Sequence, residues 1–119
     1  MEDEILNYVK EVKGGVSFAE LCNNIKGFEG EFEFGIFDKN IVFWSHISQE
    51  AIKSITNLLK AKKIKLKPCA PLVYMIDGYV PVLPVAKHDR GYKSLRWLPL
   101  VFNLPNQEGQ FLTKDDTVE

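Results

Sequence analysis

Gln49, Lys53, Thr56, Asn57 and Lys60 recur at steps of three or four residues, so on a helix they share one face. Their combined chemistry suits the edge of a nucleic acid. Gln and Asn can each make two hydrogen bonds to an adenine edge, Lys reaches guanine or a phosphate, and Thr bonds a base or touches a thymine methyl. Directly after them come Lys62, Lys63, Lys65 and Lys67, a run able to neutralise phosphates. The bland reading of the same residues is a solvated helix face followed by a charged turn. What favours nucleic acid is that face, basic turn and the strand beyond are contiguous in a chain whose other parts are acidic.

That division is sharp although the net charge is only −1. Residues 1–50 hold four Lys against ten Asp/Glu, residues 51–96 hold ten Lys/Arg against two Asp, and residues 97–119 hold one Lys against four acids. Such asymmetry suits a polyanion-facing surface. It equally suits acidic and basic segments that face each other.

Other chemistry is poorly signalled. His46, His88, Cys22 and Cys69 are the candidate soft ligands, but no two of them have a metal-binding spacing, and the two cysteines read as reduced thiols. Glu31 and Glu33 share one side of a strand, as exposed carboxylates commonly do. No glycine-rich phosphate loop occurs. No metal, no cofactor and no catalytic residue is expected, so the chain reads as non-enzymatic. Tyr79, Tyr92 and Trp97 near Arg90 and Arg96 compose either a protein-binding hot spot or a segment wrapping the core, the second being slightly favoured.

The elements that must position these groups follow from periodicity. Ile5, Tyr8, Val9 and Val12 predict a helix over 2–13, with Glu2, Asp3 and Glu4 at its positive end and Gly14-Gly15 as its stop. Ser17 and Glu20 form a capping box for a short second helix to about Ile25. Alternation over 31–37, a turn at 38–40 and a β-rich run over 41–44 predict a hairpin. Ser48 caps a third helix to about Lys62, with Ala51, Ile52, Ile55, Leu58 and Leu59 inward. Beyond it, 63–68 and 72–76 read as strands, Asp77-Gly78 as a tight turn and 79–83 as the returning strand. Residues 88–93 read as an exposed loop, 97–102 as an apolar return to the body, and 105–119 as a flexible acidic tail.

The order helix, turn, helix, longer helix and hairpin is carried by Ile5-Leu-Asn-Tyr-Val9, by Gly15-Val-Ser-Phe-Ala-Glu-Leu21 and by Ile52-Lys-Ser-Ile-Thr-Asn-Leu-Leu-Lys-Ala-Lys-Lys-Ile64. Over about residues 3–78 it resembles the winged helix-turn-helix superfamily. The resemblance implies that the third helix enters a major groove, while a wing over 65–76 touches the backbone or minor groove. The expected fold is α+β and winged-helix-like: three helices, small antiparallel hairpins and a less regular C-terminal segment, in one domain over 1–104. The expected function is a small DNA-binding regulatory or accessory protein, analogous to those of phages. The alternative is a non-catalytic protein-interaction module on the same frame, with a protein partner or a homodimer. A cytoplasmic location and no membrane partner are expected, since no signal peptide or spanning segment is visible.

Overall fold

The computed structural model describes residues 1–76, 81–88 and 90–107. Among them four α-helices and two three-stranded sheets form an α+β domain: α1 (Glu2–Val12), β1 (Val16–Ser17), α2 (Phe18–Asn24), β2 (Phe32–Ile36), β3 (Ile41–Ile47), α3 (Gln49–Lys60), β4 (Lys65–Pro68), α4 (Leu72–Ile76), β5 (Arg96–Trp97) and β6 (Leu100–Asn103). No helix among the described residues is long and apolar enough to cross a membrane.

The helices form where their ends are chemically marked. The Ser17 hydroxyl accepts from Glu20 N at 2.9 Å and starts α2. The Glu20 carboxylate accepts the Tyr8 hydroxyl at 2.7 Å, which ties α1 to α2. At the end of α1, Lys13 turns into the left-handed region (φ 66°) and Gly14 N returns to Val9 O at 3.0 Å, closing the last turn.

The two sheets are built differently. One has the order β1-β6-β4, antiparallel throughout, with Lys65 opposite Asn103 and Ser17 opposite Val101. The other has the order β2-β3-β5, in which β2-β3 is the expected hairpin and β5 lies parallel to β3. Gly30 permits the close approach of the hairpin's leading arm to α3: a Cβ there would fall 2.5 Å from Ser48 Cα. Between the sheets Phe18 stacks on Trp44 at 6.2 Å and meets Phe102 edge-on at 4.7 Å.

Three expectations are corrected here. Leu72–Ile76 is a fourth helix, not a strand. Pro71 supplies a preset φ at its start, and its carbonyl accepts from Tyr74 N and Met75 N at 3.0 and 3.2 Å. Secondly, β4 finds its partner in β6 and not in the residues that follow it, so 65–76 is not a wing hairpin. Of the proposed turn and returning strand, 77–80 lie outside the described residues, and 81–83 are not in a strand. Thirdly, the C-terminal segment is not peripheral: β6 is the middle strand of its sheet, and Trp97 and Phe102 are fully buried. Of the expected tail, 105–107 form a turn held by Gln107, whose side-chain amide donates to Lys13 O at 2.6 Å. Residues 108–119 lie outside the described residues.

The burial of α4 rests on one side chain. Tyr74 is fully buried, with its ring 5.0 Å from Trp97 and 5.4 Å from Trp44. Its hydroxyl accepts from Phe18 N, at the start of α2, at 3.1 Å and donates to Leu100 O at 2.5 Å. Tyr74→Phe keeps the ring but orphans a buried amide and weakens the bonding of a buried carbonyl. The expected loss is about 2 kcal/mol, read as a lower midpoint with unchanged slope in urea unfolding.

Candidate nucleic-acid interface

α3 carries the candidate site. Its start is fixed by the Ser48 hydroxyl, which accepts from Ala51 N at 3.1 Å. Its inner side buries Ala51, Ser54, Ile55, Leu58 and Leu59, and it packs against α1. The stripe of apolar residues at helical spacing therefore faces the core, and the opposite row is left to water. Gln49, Lys53, Asn57 and Lys60 stand exposed along that row. The helix closes with Lys62 N bonded to Leu59 O and Lys63 N bonded to Leu58 O, each at 3.0 Å, with Lys62 in the left-handed position (φ 56°). This turn sets Lys62 and Lys63, both exposed, at the carboxyl end of the row.

Three of the nine expected contact residues sit elsewhere than expected. Thr56 is half-buried, and its hydroxyl donates to Ile52 O of its own helix at 2.8 Å, a backbone bond that competes with outward recognition. Lys65 is buried in β4, only 9 % exposed, because Ile64, Lys65 and Leu66 are covered in succession where alternation predicts an outward Lys65. Lys67, opposite Val101, is half-buried. The surface row is thus Gln49, Lys53, Asn57 and Lys60, extended by Lys62 and Lys63.

Glu29, Glu31, Glu33 and Asp38 are exposed. Among the described residues no carboxylate lies within ion-pair distance of Lys53, Lys60 or Lys63.

The charges are also sorted along the α1–α3 pair. At one end, the Met1 side chain and the Glu50 carboxylate both approach Gly27, and Ser48 N bonds Phe28 O at 2.7 Å. Exposed Asp3, Glu4, Glu29 and Glu50 gather there. At the other end, Gly15 N bonds the Asn103 side chain at 2.8 Å, and Asn103 pairs with Lys65, just past the end of α3. Lys10, exposed in the last turn of α1, and Lys13, its exposed C-cap, therefore lie at the same end as Lys60, Lys62 and Lys63. The sequence does mark Lys10 and Lys13 as helix-terminal cations, but their meeting with α3 is tertiary.

The second basic group sits apart. Arg96 pairs with Ile41 at the start of β3, whereas α3 follows its last residue, Ile47. There residues 90–96 are pinned to the 38–40 turn. Tyr92 N bonds Lys39 O at 3.0 Å, Asn40 Nδ2 bonds Tyr92 O at 2.8 Å, and the Arg96 guanidinium lies 4.7 Å over the Tyr92 ring. With Trp97 buried, this segment wraps the core, as slightly favoured; Tyr79 lies outside the described residues.

The cysteines are poor nucleophiles. Burial pushes the Cys22 thiol up to about 11, against the indole N–H of Trp44 at 3.3 Å and with help from the Glu29 charge; burial also pushes Cys69 up to about 11. Both stay protonated at neutral pH. Among the described residues no three His, Cys, Asp or Glu side chains gather as a metal site.

No family model, no curated protein and no solved structure matches this chain.

Proposed function

We propose that this protein binds duplex DNA through the outer row of α3, as a small winged-helix-like regulatory or accessory protein without catalytic activity. The observation that carries the reading is that row: Gln49, Lys53, Asn57 and Lys60 exposed together, continued by Lys62 and Lys63, with no carboxylate of the described residues paired to Lys53, Lys60 or Lys63. Supporting it is the arrangement of three helices about the β1-β6-β4 sheet, in which β4 leaves α3 and β6 returns between β1 and β4. The amides supply base-edge donors and acceptors, and the lysines supply phosphate neutralisation.

The test is retardation of a random duplex and of selected sequences at low salt. The Lys53→Glu and Lys60→Glu double variant reverses two charges on the row, and its affinity is expected to fall by more than about tenfold. Absence of wild-type binding at every salt concentration defeats the reading.

A second reading, a protein-interaction module, is favoured by a different feature. α4 leaves Leu72, Met75 and Ile76 exposed, and Val82 and Leu95 line an open cavity of about 320 Å³ with Glu33, Trp44 and His46. Apolar surface of this kind suits a protein partner more than a nucleic acid.

A further inference from the structure

We infer that the DNA contact is centred on the carboxyl end of the α1–α3 pair and that Lys10 and Lys13 of α1 are phosphate-binding residues within it. This rests on the DNA reading above and specifies its pose. Recognition helices of the helix-turn-helix type lead into the major groove with their N-terminal residues. Here the first turn of α3 carries Glu50 and lies beside Glu29 and the acidic start of α1, where Met1 and Glu50 meet at Gly27. Bringing that end to a phosphate wall opposes like charges.

The opposite end has the reverse character. Lys10 and Lys13 close α1, Lys60, Lys62 and Lys63 close α3, and Glu11 is the neighbouring exposed acid on α1. The two helix ends are held together by bonds that leave little freedom. Gln107 joins Lys13 O to Leu104 N at 2.6 and 2.7 Å, Asn103 joins Gly15 to the strand, and the Asn103–Lys65 pair holds the strand that follows α3 beside it. Neighbouring strands are about 4.8 Å apart, so β1 and β4, on either side of β6, lie about 10 Å apart. The two lysine groups flank that span, a separation that reaches more than one phosphate of a duplex. The protein's own charge separation turns this end toward the DNA during approach. Lysines at helix carboxyl ends also offset the negative end of each helix dipole, which otherwise repels a phosphate.

The experiment measures binding of the full chain to a short duplex by fluorescence anisotropy across a salt series. It compares wild type, Lys10→Gln with Lys13→Gln, and Lys87→Gln with Lys93→Gln. All four sites are exposed, and glutamine in place of Lys13 keeps a long side chain at the same left-handed position; thermal melts verify that each variant folds. The inference expects the Lys10/Lys13 pair to reduce the slope of log affinity against log salt by about 1.8, that is about 0.9 per lost phosphate contact. It expects the Lys87/Lys93 pair, at the far end of β3, to leave the slope unchanged. An unchanged slope in the Lys10/Lys13 variant, or an equal loss in both pairs, overturns the inference while the binding reading stands. No binding by wild type overturns both.

Discussion

Trp97→Ala is expected to destabilise the protein by about 4 kcal/mol, the range for removing a buried aromatic from a core. The side chain is fully buried and its ring meets Tyr74 edge-on at 5.0 Å. Its indole N–H donates to Phe43 O at 3.2 Å, a buried carbonyl on the central strand of the second sheet. Alanine leaves both a cavity and a carbonyl short of a partner. Backbone bonds from Trp97 N to Pro84 O and from Ala86 N to Trp97 O, at 2.9 and 2.7 Å, hold the 84–86 stretch against β5. For a chain of this size the loss corresponds to a melting point about 15 °C lower. A melt by circular dichroism measures it. A shift of only a few degrees would mean that β5 is not a core element.

The second large effect concerns salt. Counting the α3 lysines alone, before the share of Lys10 and Lys13 is added, one phosphate neutralised by each of Lys53, Lys60, Lys62 and Lys63 makes log affinity fall against log salt with a slope of about −3.6. Raising salt from about 50 to about 200 mM then weakens binding roughly 100-fold. Acidic residues elsewhere give the molecule a net charge of −1, so it has no bulk attraction for DNA beyond this surface. A slope near zero would assign the interaction, if one is seen, to apolar or hydrogen-bonded contacts. That outcome would move attention to the exposed side of α4 and the cavity beside Val82.

Much of the frame is legible in the sequence because it is local. The periodic Ile and Leu of α3, the capping serines at 17 and 48, the glycines after α1 and the alternation of β2 each encode their element within a few residues. The site row is legible for the same reason, since Gln49, Lys53, Asn57 and Lys60 follow from helix geometry once the inner stripe is known. What escapes is decided at a distance. Leu72–Ile76 reads by itself as a strand, and the Tyr74 hydroxyl, held by Phe18 and Leu100, anchors it as a helix. Lys65 reads as outward by alternation, yet Ile64, Lys65 and Leu66 are buried in succession. Thr56 reads as a recognition residue until its hydroxyl is found bonded to Ile52. Lys10 and Lys13 join the basic end only because Gln107 and Asn103 bring the close of the chain's first helix to the strand that follows α3.

The position of β6 bears on how the molecule assembles. β1 and β4 never touch; each pairs only with a strand that arrives some thirty or more residues after β4. Their hydrogen-bonding edges wait, unsatisfied by each other, until Leu100–Asn103 slides between them. Closure entropy must be spent before this sheet returns any bonding, a topology associated with slower folding than that of a local helical bundle. A chain emerging from the ribosome therefore carries α1, α2 and α3 as amphipathic segments without a completed platform until β6, the last strand among the described residues, is free.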